Sequence, residues 1–308
     1  MNKTANAVSE IKKVIQGKDE IIKKVISALL CGGHVLLEDV PGVGKTTLAI
    51  TISRVLALKY KRIQFTPDVM PGDVVGFSMY NKKTENFEYV PGAVNCNILL
   101  ADEINRTSPK TQSALLEVME EGKVTVDSVT RELPKPFIVI ATQNPFGSTG
   151  TQRLPLSQMD RFTVRLSMGY PERESEIAIL KGKGMSNIDS VEQIVTEDEL
   201  KTMQKECASM YVSDEIYGLI ADISSLTRQS EYFEMGISPR GSIAVLKMAR
   251  ANAYIEGRDF VIPEDINEVL PATVSHRILL SERAYAEGMS EKEALAAALE
   301  GNKKIILP

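Results

Sequence analysis

The sequence predicts an α/β fold, a central parallel sheet layered α/β/α, followed by a smaller all-α domain. Three observations predict it. Short apolar runs alternate with amphipathic helical stretches through the first half of the chain. A glycine-rich turn separates the first of those runs from a helix. Beyond Tyr170-Pro171 the strand signals fade and only helix signals continue. A length of 308 residues suits about two domains, and we expect them to be residues 1–170 and 171–308.

Each element follows from a local pattern. Ile21, Ile22, Val25, Ile26, Leu29 and Leu30 recur at helical spacing, and Gly32-Gly33 ends that helix. His34-Val35-Leu36-Leu37-Glu38 reads as a short buried strand, with a helix expected from Lys45 to Leu56 after the turn. Arg62–Phe65, Asn97–Ala101, Phe137–Thr142 and Phe162–Leu166 are the further expected strands. Ser108 as N-cap, Pro109 as first residue and Gly122 as terminator frame another helix. The runs 123–126 and 130–133 flank a turn and predict a hairpin. In the second half, Thr196-x-x-Glu199 and Ser290-x-x-Glu293 are capping boxes. Ile216, Leu219, Ile220, Ile223 and Leu226 form one apolar stripe there, and Ile243, Leu246, Ala249 and Ala253 another.

Composition excludes several classes. Thirty-six basic against 41 acidic residues leave a net charge of −5, which does not attract nucleic acid or anionic lipid at long range. Three scattered cysteines, Cys31, Cys96 and Cys207, with no CxxC, make neither a disulfide framework nor a zinc site, and suit a reducing compartment. Two histidines, His34 and His276, are too few for a histidine metal site, and both are expected to be structural. The N-terminal stretch is charged rather than a secretory core, and no apolar run reaches the ~18–20 residues of a membrane span. We therefore expect a cytoplasmic protein without membrane insertion.

The chemistry concentrates at three strand ends. Asp39-Val40-Pro41-Gly42-Val43-Gly44-Lys45-Thr46 has the character of a phosphate-binding loop. Gly42 and Gly44 let backbone amides approach phosphate, the next helix adds its dipole, Lys45 reaches the β- and γ-phosphates, and the Thr46 hydroxyl can ligate Mg²⁺. Asp39 stands where the pattern has its first glycine; aspartate tolerates turn and left-handed geometry better than most residues. Ile98-Leu99-Leu100-Ala101 then ends in Asp102-Glu103, acids placed where parallel sheets hold ligands. Asp102 would hold the Mg²⁺ shell and Glu103 would activate water. Finally, Ile138-Val139-Ile140-Ala141-Thr142-Gln143 leads into Asn144, which could bond the attacking water or the γ-phosphate, or simply begin an Asn-Pro turn.

These signals in this order, with Asp160-Arg161-Phe162 and Ser238-Pro239-Arg240, resemble an AAA+ ATPase. Arg62-Ile63-Gln64-Phe65-Thr66-Pro67-Asp68, Pro91-Gly92, Leu100–Arg106 and Glu256-Gly257-Arg258-Asp259 make the resemblance closer to the MoxR family, from Gly17 to about Ser290. That family commonly lacks glycine at the Asp39 position. The resemblance implies ATP and Mg²⁺ as cofactors, with Pro41, Val43 and Thr47 joining the nucleotide-binding loop and Val14, Ile15 and Gly17 packing on adenine. It implies Arg161 as an arginine finger acting in trans on a neighbouring subunit, the alternative being a surface arginine paired to Asp160. Arg240 matches sensor 2; from the first helical turn its side chain would reach back to nucleotide. A helix-2 insert within residues 70–97 and a hairpin near Lys123–Leu133 would face the pore or upper surface of the oligomer, and Gln64 could link partner binding to Glu103.

The implied function is a homo-oligomeric, usually hexameric, ATPase acting as a chaperone-like remodeller or activator of protein clients, among them von Willebrand factor A domain proteins. A nucleic-acid-remodelling relative would usually add a basic domain, and a metal-chelatase subunit is a structural cousin; both stay open as alternatives. A non-enzymatic nucleotide-gated scaffold is the remaining alternative, and measurable turnover would exclude it.

Overall fold

The computed structural model describes residues 3–40, 42–144, 154–181 and 188–300. Helices α1 (Lys3–Lys12) and α2 (Asp19–Leu30) lead into strand β1 (Val35–Glu38) and helix α3 (Lys45–Val55). Strand β2 (Tyr60–Gln64) is followed by the short helix α4 (Pro71–Val75) and a hairpin, β3 (Phe77–Asn81) and β4 (Asn86–Val90). Then come β5 (Ile98–Asp102), α5 (Pro109–Glu121), a second hairpin of β6 (Lys123–Val126) and β7 (Val129–Glu132), and β8 (Ile138–Gln143). A single turn, α6 (Leu156–Met159), precedes β9 (Val164–Leu166), the last strand of the main sheet.

That sheet has the order β2-β5-β8-β1-β9, and every pairing is parallel. Each expected strand is present within two residues of its predicted ends. Alternate strand residues face opposite layers, as strand geometry requires. Leu37, Ile98, Leu100 and Ile140 join one apolar cluster, and Leu36, Leu99, Ala101 and Val139 the other. Both faces are covered, so the strands read as near-continuous apolar runs.

Helices α7 (Arg173–Leu180), α8 (Glu197–Ala208), α9 (Asp214–Gln229), α10 (Pro239–Ile255) and α11 (Pro263–Val274) dominate the remainder. It closes with helices α12 (Glu282–Ala286) and α13 (Glu291–Ala298). Two very short strands, β10 (Phe233–Met235) and β11 (Leu279–Leu280), pair antiparallel within this helical part. At three and two residues they carry no readable periodicity, and the sequence did not suggest them. The expected caps are present: Ser108, Thr196, Ser238 and Ser290 each accept a bond from a backbone N–H three residues on. The first apolar cluster does not stop at the sheet. It runs from Ala7 through α2 into Val245, Met248 and Leu270 of the helical part.

Both histidines are buried and structural, as expected. His34 Nδ1 accepts the Val139 N–H at 2.9 Å, so its proton sits on Nε2, which donates to Met119 O at 2.9 Å. Burial lowers its pKa to about 4. His276 bonds Phe162 O at 2.9 Å and is likewise depressed, first by burial and then by the Arg277 charge. The three cysteines are free thiols, and burial pushes Cys31 and Cys96 up to about 12 and Cys207 to about 11. No helix among the described residues is long and apolar enough to cross a membrane.

Candidate functional site

Because the five strands run parallel, β1, β5 and β8 release their following residues at one edge of the sheet. That edge is where such sheets bind ligands. The chain leaving β1 makes the turn to α3 through Gly42 at φ +87° and Gly44 at φ +95°, a region that costs little only for glycine. Gly44 is the N-cap of α3 and no side chain caps its amides, unlike the serine- or threonine-capped helices elsewhere. Free amides and the positive helix end make this turn an anion cradle. Lys45 opens α3 and donates from Nζ to Asp39 O at 3.0 Å. Burial lowers its pKa, against the pull of the Asp39, Asp102 and Glu103 carboxylates. Pro41 lies outside the described residues.

Asp39 corrects its own rationale. Its backbone is not left-handed, so tolerance of that geometry is not why it is there. Its buried carboxylate accepts from Ser167 Oγ at 2.7 Å, Met168 N–H at 2.6 Å and Gly169 N–H at 3.0 Å. It braces the glycine-rich turn against the chain leaving β9.

Lys45, Thr46, Thr47, Asp102, Glu103 and Asn144 line one cavity of about 320 Å³. Asp102 Oδ2 accepts from Arg62 Nη2 at 2.7 Å, and its Oδ1 from Thr142 Oγ1 at 2.6 Å. Thr142 Oγ1 in turn accepts the Glu103 N–H at 2.9 Å. This holds Glu103 at φ +55°, an uncommon conformation for a non-glycine residue and one that clusters at functional sites. The Glu103 carboxylate accepts from Gln64 Nε2 at 2.9 Å and Arg106 Nη1 at 2.6 Å. Gln64 lies opposite Asp102 in the β2–β5 register, which is why it reaches Glu103. A second, mainly apolar cavity of about 170 Å³ shares Gly42, Gly44 and Thr47 with the first and is walled by Val14, Ile15, Val43 and Met168. Gly17 turns the chain beside it at φ +70°, where a Cβ would stand 3.2 Å from Ser175 Oγ.

Arg161 and Arg240 are elsewhere. Neither lines the cavity beside Lys45. Arg161 Nη1 lies 2.9 Å from Glu120 Oε2 and donates to Leu116 O at 2.8 Å; Arg240 Nη2 donates to Glu120 Oε1 at 2.6 Å. Arg240 stands in the first turn of α10 as expected, yet it points to Glu120 of α5 and does not reach back to its own glycine-rich turn. Asp160 does not pair with Arg161 either. It binds Arg277 Nε at 2.7 Å and Ser238 Oγ at 3.2 Å.

Sequence reasoning missed the partners of these groups: Arg62, Arg106, Thr142 and Glu120. Arg62 and Arg106 lie in stretches singled out above, but only strand register and the turn after β5 reveal what they hold. Nothing local marks Glu120.

The ATPase family associated with various cellular activities (AAA) matches residues 34–164, and the AAA lid domain matches residues 225–305. The Bacillus subtilis protein YeaC is 47% identical, over 97% of this chain and 93% of that one. Chaperone MoxR1 of Mycobacterium tuberculosis is 39% identical, over 96% of this chain and 80% of its own. A crystal structure from Cytophaga hutchinsonii superposes with a TM-score of 0.90 at 36% identity, covering 100% of this chain and 95% of that one. Relatives thus match along nearly the whole length, through the AAA region and the lid: the chain belongs to the MoxR family of AAA+ ATPases.

Proposed function

We propose that the chain hydrolyses Mg-ATP as a head-to-tail homo-oligomer, hexameric by family habit, and uses the cycle to remodel or activate protein clients in the cytoplasm. The convergence of Lys45, Asp102, Glu103 and Asn144 in one cavity, continuous with the apolar wall at Ile15, carries this reading. Residues 1–170 then act as the nucleotide-binding core and 171–308 as the lid.

The residues fit a magnesium–triphosphate pair. Among the described residues no cluster of three acids, cysteines or histidines forms a metal cage. One hydroxyl and one carboxylate, Thr46 and Asp102, are what Mg²⁺ takes when phosphates and water complete its shell. Bound there, the metal would neutralise charge on the phosphates. The amides from Gly42 to Thr47 cradle phosphate oxygens, and Lys45 leaves the Asp39 carbonyl for the β- and γ-phosphates. Val14, Ile15 and Gly17 frame the adenine. Glu103, once released by Gln64 and Arg106, accepts the proton of the attacking water, and Asn144 orients that water.

Arg161 lies outside its own phosphate cavity, which fits the use the resemblance implies, on a neighbour's nucleotide. Arg240 shares its carboxylate partner and would address the same neighbouring nucleotide. Two opposed fingers of chain suit a client: the β3–β4 hairpin exposes Met79, Tyr80 and Phe87, and Arg131 of the second hairpin stacks 4.1 Å over Tyr89 of the first. By resemblance the clients include von Willebrand factor A domain proteins.

Glu103→Gln tests the reading. The amide cannot take the proton, so ATP should bind at parent affinity while turnover falls by about 10²-fold or more. Capture in ATP with this variant should retain the client, and a protein that hydrolyses no ATP at all would overturn the proposal.

A further inference from the structure

Glu120 occupies the last turn of α5, where the helix dipole disfavours a carboxylate and a cation is the stabilising partner. It has two. One guanidinium sits on each carboxylate oxygen, Arg161 on Oε2 at 2.9 Å and Arg240 on Oε1 at 2.6 Å. The backbones that deliver the two arginines are already fixed through a single residue. Asp160, immediately before Arg161, accepts from Ser238, which caps the helix that begins just ahead of Arg240. Arg277, almost wholly buried, clamps the same stretch through Asp160 Oδ1, Asp160 O, Phe162 O and Thr163 O. What stays free is the direction of two long side chains. Each guanidinium carries five donors, and Glu120 occupies only a few of them. Without a shared carboxylate, two like charges this close would repel and splay apart.

We propose that Glu120 is the positioning residue of a two-arginine clamp: it holds Arg161 and Arg240 side by side, with their remaining N–H groups presented to the triphosphate of the adjacent subunit. This rests on the in-trans reading above, and it adds to that reading the residue which makes the two arginines act together. A geometric role predicts a loss in kcat rather than in nucleotide affinity, because Glu120 touches no part of its own phosphate cavity.

The test uses full-length subunits co-expressed in pairs so that mixed oligomers form. Glu120→Gln should lower kcat by about 10–100-fold, the cost of a small misplacement near the reacting centre, with ATP affinity within about twofold of the parent. Glu120→Asp, which keeps the charge, should recover part of that loss. Co-expressed with Glu103→Gln, the Glu120→Gln chain should regain turnover, because about a quarter of interfaces then join its intact site to an intact clamp. Co-expressed with Arg161→Ala it should not. Parent turnover by Glu120→Gln, a faster rate, or failure of Glu103→Gln to rescue it would each overturn the proposal. The in-trans reading is judged separately, by whether Arg161→Ala and Glu103→Gln complement each other. A misfolded Glu120→Gln chain would show as a lowered Tm, and Glu120→Asp then decides alone.

Discussion

Replacing Asp39 by glycine restores the literal phosphate-loop pattern, and the structure predicts that it damages the protein. The carboxylate is 5% exposed and accepts three bonds, two of them from the consecutive amides of Met168 and Gly169. Hydrogen bonds to a charged group contribute roughly 1.5–3 kcal/mol each, and an unpaired buried donor costs about 1–3 kcal/mol. Water entering the emptied space would recover part of that loss. Glycine adds about 0.5–1 kcal/mol of backbone entropy on the unfavourable side. The expected net loss is about 3–5 kcal/mol, which at ~2–4 °C per kcal/mol for a chain of this class lowers the first thermal transition by about 6–20 °C. Function should follow, because Met168 also walls the apolar cavity beside Gly44. Detaching its backbone from the loop should weaken nucleotide binding even with Lys45 and Thr46 untouched. Scanning calorimetry and titration calorimetry with an ATP analogue measure the two effects. Asp39→Asn is the shape control: its NH₂ group faces donors, so it should lose most of the same stability. Equal or higher stability of Asp39→Gly, with parent nucleotide affinity, would refute the brace.

Lys45→Ala removes the charge-assisted side-chain contact to phosphate and should lose most nucleotide affinity, read by the same titration. Arg161→Ala and Glu103→Gln should each be nearly inactive alone, yet regain partial hydrolysis when mixed and exchanging, and light scattering in ATP should show a species several times the monomer. Stability should also fall as the medium is acidified through the histidine range. Unfolded imidazole protonates near 6.5 but folded His34 only at about 4, so between those values the unfolded chain holds the extra proton and stability rises with pH. His34 alone should account for about 2 kcal/mol between pH 5 and pH 7, seen as a shift in the urea midpoint. His276, depressed in the same direction, should add to it.

The sequence by itself determined the order of elements, the two-part architecture and the residues at the strand ends. Those rest on short-range physics. Apolar periodicity sets strands and helices, serine and threonine caps mark the starts of helices such as α5, α8 and α10, and Gly42 and Gly44 mark a turn that only glycine makes cheaply. Once the strands are parallel, Lys45, Asp102 and Asn144 must meet at one edge. What each polar side chain binds there was decided only by tertiary structure. Asp39 finds its donors 128–130 residues further along the chain. Arg62 and Gln64 reach Asp102 and Glu103 because β2 pairs with β5 in one particular register. Arg240 turns away from its own loop because the fold brings the first turn of α10 within reach of Glu120 at the end of α5, a carboxylate it shares with Arg161. A side chain's charge and reach are written locally, but its partner depends on strand order and on how the lid closes over the sheet, and neither has a local signal.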